Sequence, residues 1–327
     1  MQTLRPIPCI AIAALLVLVA LACSLSFGSA PVTATELWRG ALMEHDQLAR
    51  QLLFELRLPR AANAFAVGAL LGTAGVLMQV LLRNPLADPY VLGLSGGAAV
   101  AALGAMLLGL AATWIPMFAT VGALLSIVTV FVLAHGSGGW TPLRLLLTGV
   151  VVAAGTSAVV SLMLALSDEI RLRGMLFWLM GDLSLAPQSN FALGVALAAV
   201  AGGWLVARHL DVMARGELQA EMLGAPVRAL RMSIFAAASV LTAVAVTTAG
   251  SIGFVGLVTP HIIRLVAGSS HRVVVPGSAL LGGSLVMFAD LLSRTLLAPR
   301  QLPVGALTAI VGVPLFLALM KRRRVVG

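Results

Sequence analysis

Residues 247–268 read TTAGSIGFVGLVTPHIIRLVAG, a long apolar run loosened by Gly250, Gly253 and Gly256 and restarted by a proline. Thr259 reads as an N-cap, with Pro260 at the first helical position, where a missing N–H costs nothing. One helix is expected to end here and a short one to begin. In hydrocarbon such irregular backbone survives only where protein or a water-filled cavity surrounds it, so the stretch is expected to border a pathway.

The rest of the chain has the composition that a membrane setting requires. Of its 327 residues, 60% are apolar and 10% charged, and the mean hydropathy is +1.05. Charged residues fall in the gaps between apolar runs of about 15–25 residues, the length at which a helix spans a bilayer. About ten spans follow: 7–28, 61–82, 91–110, 114–134, 143–166, 190–208, 231–250, a short one at 260–267, 274–297 and 304–320. The predicted fold class is an all-α polytopic membrane protein forming a single transmembrane domain over 1–327. Alternating strands of a β-barrel are not visible. The first run is long enough to span and is read as a transmembrane helix, not a cleaved signal. Cys9 and Cys23, both inside it, offer neither a disulfide framework nor a zinc site.

An even number of spans puts both termini on one side. The tail Lys321, Arg322, Arg323, Arg324 marks that side as cytoplasmic by the positive-inside rule. On this assignment the cytoplasmic segments carry thirteen basic residues against four acids, while the outer segments hold eight of each, so the formal net charge of +9 lies wholly inside. A pI of 11.4 therefore reads as topology, not as nucleic-acid binding.

Three segments outside the spans are long. The outer one, 28–59, ends in FELRLPR, where Arg57 and Arg60 share a helical face, either as snorkelling anchors or as a cationic patch for an acidic partner. The segment 167–189 contains an apolar piece too short to span and is expected to cover the outer mouth of a pathway, with Trp178 as an interfacial anchor. The segment 209–231 is the longest cytoplasmic one. There Leu218, Met222 and Leu223 line one side of a short helix and Glu217 and Glu221 another, a surface suited to docking a soluble partner. Asp88-Pro89 and Thr141-Pro142 repeat the grammar of a capping residue before proline at a helix start. RNPLADPYVLGLSGG (83–97) and VTPHIIRLVAG (258–268) look distantly alike and would run in opposite directions.

Covalent chemistry finds little support. Gly93-Leu94-Ser95-Gly96 matches the short pattern around an intramembrane serine nucleophile, although a small-residue packing surface explains the same residues. The five histidines lack metal-ligand spacing, and no phosphate loop occurs, so catalytic, cofactor and metal sites are not expected. Asp290, four residues before Arg294, is the one intramembrane acid that stands out, and the two can satisfy each other along one helix face. That scarcity of acids argues against an ion-coupled secondary transporter, the other alternative.

The blocks 57–98, 250–272, 288–294 and 301–316 resemble the FecCD/BtuC-type permeases of binding-protein-dependent ABC importers, the family that carries iron-siderophore complexes, haem and vitamin B12. The resemblance implies the type II importer fold and a homodimer with the pathway between subunits. It further implies two cytoplasmic ABC ATPase subunits that hold ATP and Mg, a periplasmic binding protein, and a lipid setting in the bacterial inner membrane. Gly216, Glu217, Ala220, Leu223 and Gly224 match the family's ATPase-coupling helices. Arg57, Arg60 and Arg294 fall where the family offers arginines to the binding protein. Trp140, Thr141 and Pro142 fall at its cytoplasmic gate, and Trp178 and Gly181 in its external gating segment. Two departures stand near the outer face: Gln301 where the family usually has glutamate, and Asp182 where it usually has serine.

Overall fold

The computed structural model describes residues 6–30, 32–42, 46–135, 141–184, 186 and 190–323. Helix α1 spans Pro6–Ser26, α2 Ala34–Leu42 and α3 Gln47–Arg50. The chain then winds as a π-helix through Gln51–Arg57 directly into α4, Leu58–Leu81. After a 3-10 turn at Pro89–Leu92 come α5 (Leu94–Leu107), α6 (Ile115–Ala134), α7 (Pro142–Ala165) and α8 (Glu169–Leu179). α9 (Phe191–Leu205) meets α10 (Ala207–Ala214) at a 65° bend. α11 (Glu217–Met222), α12 (Val227–Ala249), α13 (Val255–Ala267), α14 (His271–Thr295) and α15 (Val304–Arg323) complete the chain.

Among the described residues six helical stretches are long and apolar enough to cross a bilayer, the bent α9–α10 pair is a seventh candidate, and α5, α13 and α15 supply shorter apolar helices. The chain is thus a multi-pass membrane protein. The bundle has two ends, one carrying α8 and the other α11, and these serve as reference below.

α4 is the axis. Every residue from Ala66 to Leu81 is buried, as expected of a helix that is apolar all round and rich in Gly and Ala. Small residues let neighbouring backbones come close, since hydrocarbon provides no hydrophobic drive between helices and packing must hold them together. Gly68 and Gly282 of α14 face each other backbone to backbone. A Cβ on either would land on the other's carbonyl oxygen. Further along, a Cβ on Gly75 would land on the carbonyl oxygen of Gly256 in α13. α7 is the opposite case, with only Leu145 and Gly149 buried along 24 residues.

The opening stretch breaks as expected, but the second helix starts earlier. α13 begins at Val255, after Phe254 adopts a left-handed φ of 68°, so Thr259 is not an N-cap and Pro260 lies inside the helix. Thr259 Oγ1 donates to the Val255 carbonyl one turn back at 2.9 Å, the ordinary habit of a mid-helix threonine. His261 follows suit: it sits within the helix, buried, with its ring edge-on to Phe316. A proline inside a helix strands the carbonyl four residues earlier, here Gly256. Gln79 of α4 supplies the missing donor, its Nε2 lying 3.3 Å from the Gly256 oxygen and 3.4 Å from that of Leu257. The other end of the same amide, Oε1, accepts from Arg264 Nη1.

The prolines at the other two breaks keep their expected places. Asp88 caps the Pro89 turn through Tyr90 N (2.9 Å), and Thr141 caps α7 through Arg144 N (3.3 Å). The first of the two distantly similar stretches meets the residues just ahead of the second: Pro89 packs on Gly256, and Ile252 N donates to the Tyr90 hydroxyl at 3.1 Å. From this meeting point α5 climbs to the α8 end and α13 descends to the α11 end. With 14 and 13 residues they are half-length helices, each about 20 Å long at 1.5 Å per residue.

Replacing Gln79 with leucine keeps the volume and removes the donor for the Gly256 carbonyl. The expected cost is about 1–3 kcal/mol, the penalty of an unsatisfied buried polar group. Thermal unfolding of the detergent-solubilised protein should show the loss, and a Gln79→Glu variant should recover only the part due to the Arg264 contact, because a carboxylate accepts from the guanidinium but cannot donate to the Gly256 carbonyl.

Candidate functional site

Both ends of the bundle carry candidate sites. At the α8 end, Asp290 of α14 is fully buried and holds two guanidinium groups. Arg60 Nη2 lies 2.8 Å from Oδ1 and Arg294 Nε 3.0 Å from Oδ2. The i, i+4 pair expected along α14 is therefore present, but it is half of a three-membered cluster reaching across to α4. Arg294 also donates through Nη2 to Ser24 Oγ of α1 at 2.9 Å. Arg57, in the π-wound turn, is 4% exposed and donates from Nη1 to the Leu25 carbonyl at 2.7 Å. All three arginines line one recess of about 250 Å³ together with Gly28, Asn63 and Ser184. The structure thus gathers them, not as a surface patch but as the wall of a hollow.

Beside this recess a glycine junction ties three segments together. Asp182 N donates to the Ala249 carbonyl (2.9 Å), Val304 N to that of Gly181 (3.0 Å) and Gly305 N to that of Met180 (2.9 Å). These three backbone bonds join the end of α8, the break after α12 and the start of α15. Gly181 has a φ of 81°, and a Cβ there would lie 2.8 Å from both the Ser251 carbonyl and the Ile252 side chain. Trp178 is 8% exposed and packs inward beside Met175, so the anchor expected at the interface is largely a core residue. A cavity of about 400 Å³ opens next to the junction, lined by Arg173, Trp178, Asp182, Thr247, Thr248 and Gln301 among others. Gln301 Nε2 donates to Asp182 Oδ1 at 3.1 Å, and Asp182 also accepts from Ser184 N at 2.7 Å.

At the α11 end, the six-residue helix Glu217–Met222 is bracketed by Gly216 (φ 126°) and Gly224 (φ 74°). Ala220 is buried, fixing the helix to the body, while Leu218, Met222 and Leu223 are 68%, 77% and 68% exposed. Glu217 is tied back to Arg231 of α12 at 3.4 Å. Thr141 and Pro142 open α7 at this end. Trp140 lies outside the described residues.

The FecCD transport family model matches residues 15–322. The chain belongs to the FecCD transport family. It is 37% identical over 320 residues to the hemin transport system permease protein HmuU of Yersinia pestis, covering 95% of this chain and 94% of that one. It is 38% identical over 277 residues to the vitamin B12 import system permease protein BtuC of Escherichia coli (strain HS), covering 83% and 84%. Its backbone superposes with a TM-score of 0.83 and 28% identity, over 97% of this chain and 99% of the other, on an inward-facing conformation of an ABC transporter assigned to the metal-chelate type. The fold is that of ABC transporter permeases, and the chain is a transport permease of the ABC importer class.

FecCD membership makes sense of glycines that a proteolytic reading would use otherwise. Gly96 lies where a Cβ would strike Thr156 of α7, and Gly97 where it would strike the Gly122 carbonyl of α6. They are contact points between helices. The two residues that depart from the usual FecCD pattern, Gln301 and Asp182, turn out to be hydrogen-bonded to each other. Sequence reasoning missed the Arg60–Asp290 link and the donor role of Gln79, because each joins residues far apart in the chain.

Removing the carboxylate with Asp290→Ala leaves the buried Arg294 guanidinium facing the partly buried one of Arg60 with no counter-charge between them. Breaking a buried ion pair on one side costs about 3–5 kcal/mol, so the thermal unfolding midpoint should fall by many degrees. Adding Arg294→Met to that variant should recover part of the loss in the same assay.

Proposed function

We propose that the chain is the membrane-spanning subunit of an importer for a bulky metal chelate or corrinoid, with the α11 end in the cytoplasm of a bacterial inner membrane and both termini on that side. The orientation is supported by the excess of basic residues on segments at the α11 end. The observation that carries the proposal is α11 itself: a short, glycine-bracketed helix with an exposed apolar face, held to the body by Ala220 and the Glu217–Arg231 pair. A soluble partner with a groove would cover Leu218, Met222 and Leu223, and the tie to α12 would pass a push from that partner into the bundle. The partner in this reading is an ABC ATPase, present in two copies and holding ATP and Mg, while this chain performs no covalent chemistry.

A second copy of the chain would cover α7, which packs on α5 and α6 along one side but buries only Leu145 and Gly149 inside the protomer. The pathway would then run between the copies, beneath the α8 end. There a periplasmic binding protein would deliver the cargo, inserting an acidic side chain toward Arg57, Arg60 and Arg294 in their recess. Haem, ferric siderophore and cobalamin are the candidate cargoes, supported by relatives named for haem and vitamin B12 and by a structural neighbour of metal-chelate type.

Reconstituting the chain with its ATPase and binding protein in liposomes, and measuring ATP-dependent uptake of haem, a ferric siderophore and cobalamin, tests the reading. One of the three should accumulate. A Leu218→Asp/Met222→Asp variant should fold normally, because both side chains are exposed, yet lose uptake by about tenfold or more, since desolvating a carboxylate in an apolar groove costs over 1.4 kcal/mol. Undiminished uptake by that variant would remove α11 as the coupling element.

A further inference from the structure

An apolar groove of about 520 Å³ runs between α4, α9 and α14. Its floor includes Ala69, Ala196 and Ala279, all buried, and its walls carry larger side chains such as Leu197, Trp204 and Leu280. Alanines on three neighbouring helices give the groove its depth. A glycine contact stands at each end. Phe65 lies on Gly283, where a Cβ would be 2.2 Å from the ring, and at the α11 end Gly203 lies on Val275, where a Cβ would be 3.0 Å from Cγ1. From Ala196 to Leu205 the wall on α9 is about 14 Å long, at 1.5 Å per residue. That is close to one leaflet's share of a hydrocarbon core about 30 Å thick. The groove is as long as one layer of acyl chains is deep.

A cation stands at its α11 end. Arg272 is exposed, and its guanidinium carbon lies 5.6 Å from the centre of the Trp204 ring. The position is a poor one for positive charge, because the first turn of the 25-residue α14 is the end at which the helix dipole opposes a cation. Among the described residues no carboxylate pairs with it. The positive-inside rule asks only for basic residues at this end of the bundle. It does not ask for one set on an aromatic ring at the mouth of an apolar groove. Groove and cation together have the shape and the charge of one kind of molecule.

We infer that the groove binds an anionic phospholipid, with one acyl chain along the alanine floor and the phosphate on Arg272. A zwitterionic lipid would bring a cation of its own to the guanidinium, so a headgroup without one is preferred. The surface assigned above to a second copy lies elsewhere, since α7 packs on α5 and α6 and neither of these borders the groove. The inference needs a bilayer, and does not need the orientation, partners or cargo proposed for the chain.

The test uses the purified full-length chain in mild detergent, with native mass spectrometry counting bound lipids and chain copies. The probes are phosphatidylglycerol and phosphatidylcholine with identical acyl chains. Wild type should hold phosphatidylglycerol about fivefold more tightly, the worth of one basic residue at a membrane surface. Arg272→Gln should bring the two lipids level. Trp204→Leu keeps the wall apolar but removes the ring under the guanidinium, and should lose part of the preference. Ala201→Phe sets a ring into the groove from an exposed position and should lower the binding of both lipids. Arg228→Gln removes another exposed arginine, at the start of α12, and should leave the preference intact.

Equal binding of the two lipids by wild type overturns the inference. So does an equal loss of preference in Arg228→Gln and Arg272→Gln, which would reduce the effect to the general charge of this end. Unchanged lipid binding by Ala201→Phe would place the lipid outside the groove, and a changed number of chain copies in that variant would assign the groove to a second chain. Either result equally overturns it. None of these measurements involves uptake, so failure here and failure of the transport reading are distinguishable.

Discussion

One carbonyl oxygen organises the centre of this protein. Pro260 deprives Gly256 of its helical hydrogen bond, and in a bilayer no water is at hand to replace it. Gln79 replaces it from α4, and the same side chain reaches Arg264 one turn beyond the proline. The contact forms only because Gly75 and Gly256 let the two backbones approach to the distance at which a glutamine can bridge them. Glycine at the contact, proline in the helix and glutamine opposite are thus a single device. It holds a half-length helix upright without a continuous span beneath it. The neighbouring half-helix α5 leans on the same place through Pro89 and Tyr90.

Much of the fold was legible because the bilayer permits few architectures. Apolar length alone separated α1, α4, α6, α7, α12 and α14; Thr141-Pro142 marked the start of α7, while Asp88-Pro89 marked a 3-10 turn ahead of α5, which begins only at Leu94. Thr259-Pro260 has the same local grammar and a different outcome. An N-cap needs an extended residue before the proline, and Thr259 instead lies in a helix already nucleated by the left-handed turn at Phe254. What reversed the expectation was a donor 181 positions upstream of Pro260 in sequence, Gln79, which no local pattern reveals. The α8 segment was foreseen as a short outer helix, but the inward packing of Trp178 depends on α5 and α12 walls that the segment's own sequence does not encode.

The candidate sites divide in the same way. The α11 helix could be read from spacing, because its exposed apolar face and its glycines lie within nine residues of one another. The arginine cluster could be read only in part. Asp290 and Arg294 are neighbours on one helix, whereas Arg60, Ser24 and Arg57 join them through the packing of α1 and α4 against α14. Charge that looked like surface decoration is largely internal, and this shifts its role from patch to recess. The Asp182–Gln301 contact has the same lesson: two residues that look like independent departures from a family pattern are partners in space.

The glycine junction at the α8 end has a consequence for movement. Three backbone hydrogen bonds, from Asp182, Val304 and Gly305, close it, and none involves a side chain that could swing away to new partners. If α8 withdraws from α15, the amides and carbonyls are released together. Left dry, each would carry a penalty of several kcal/mol, whereas water would take up most of it. Opening at this end is therefore a wetting transition as much as a displacement of helices: the latch can part only as fast as water enters from the cavity beside it.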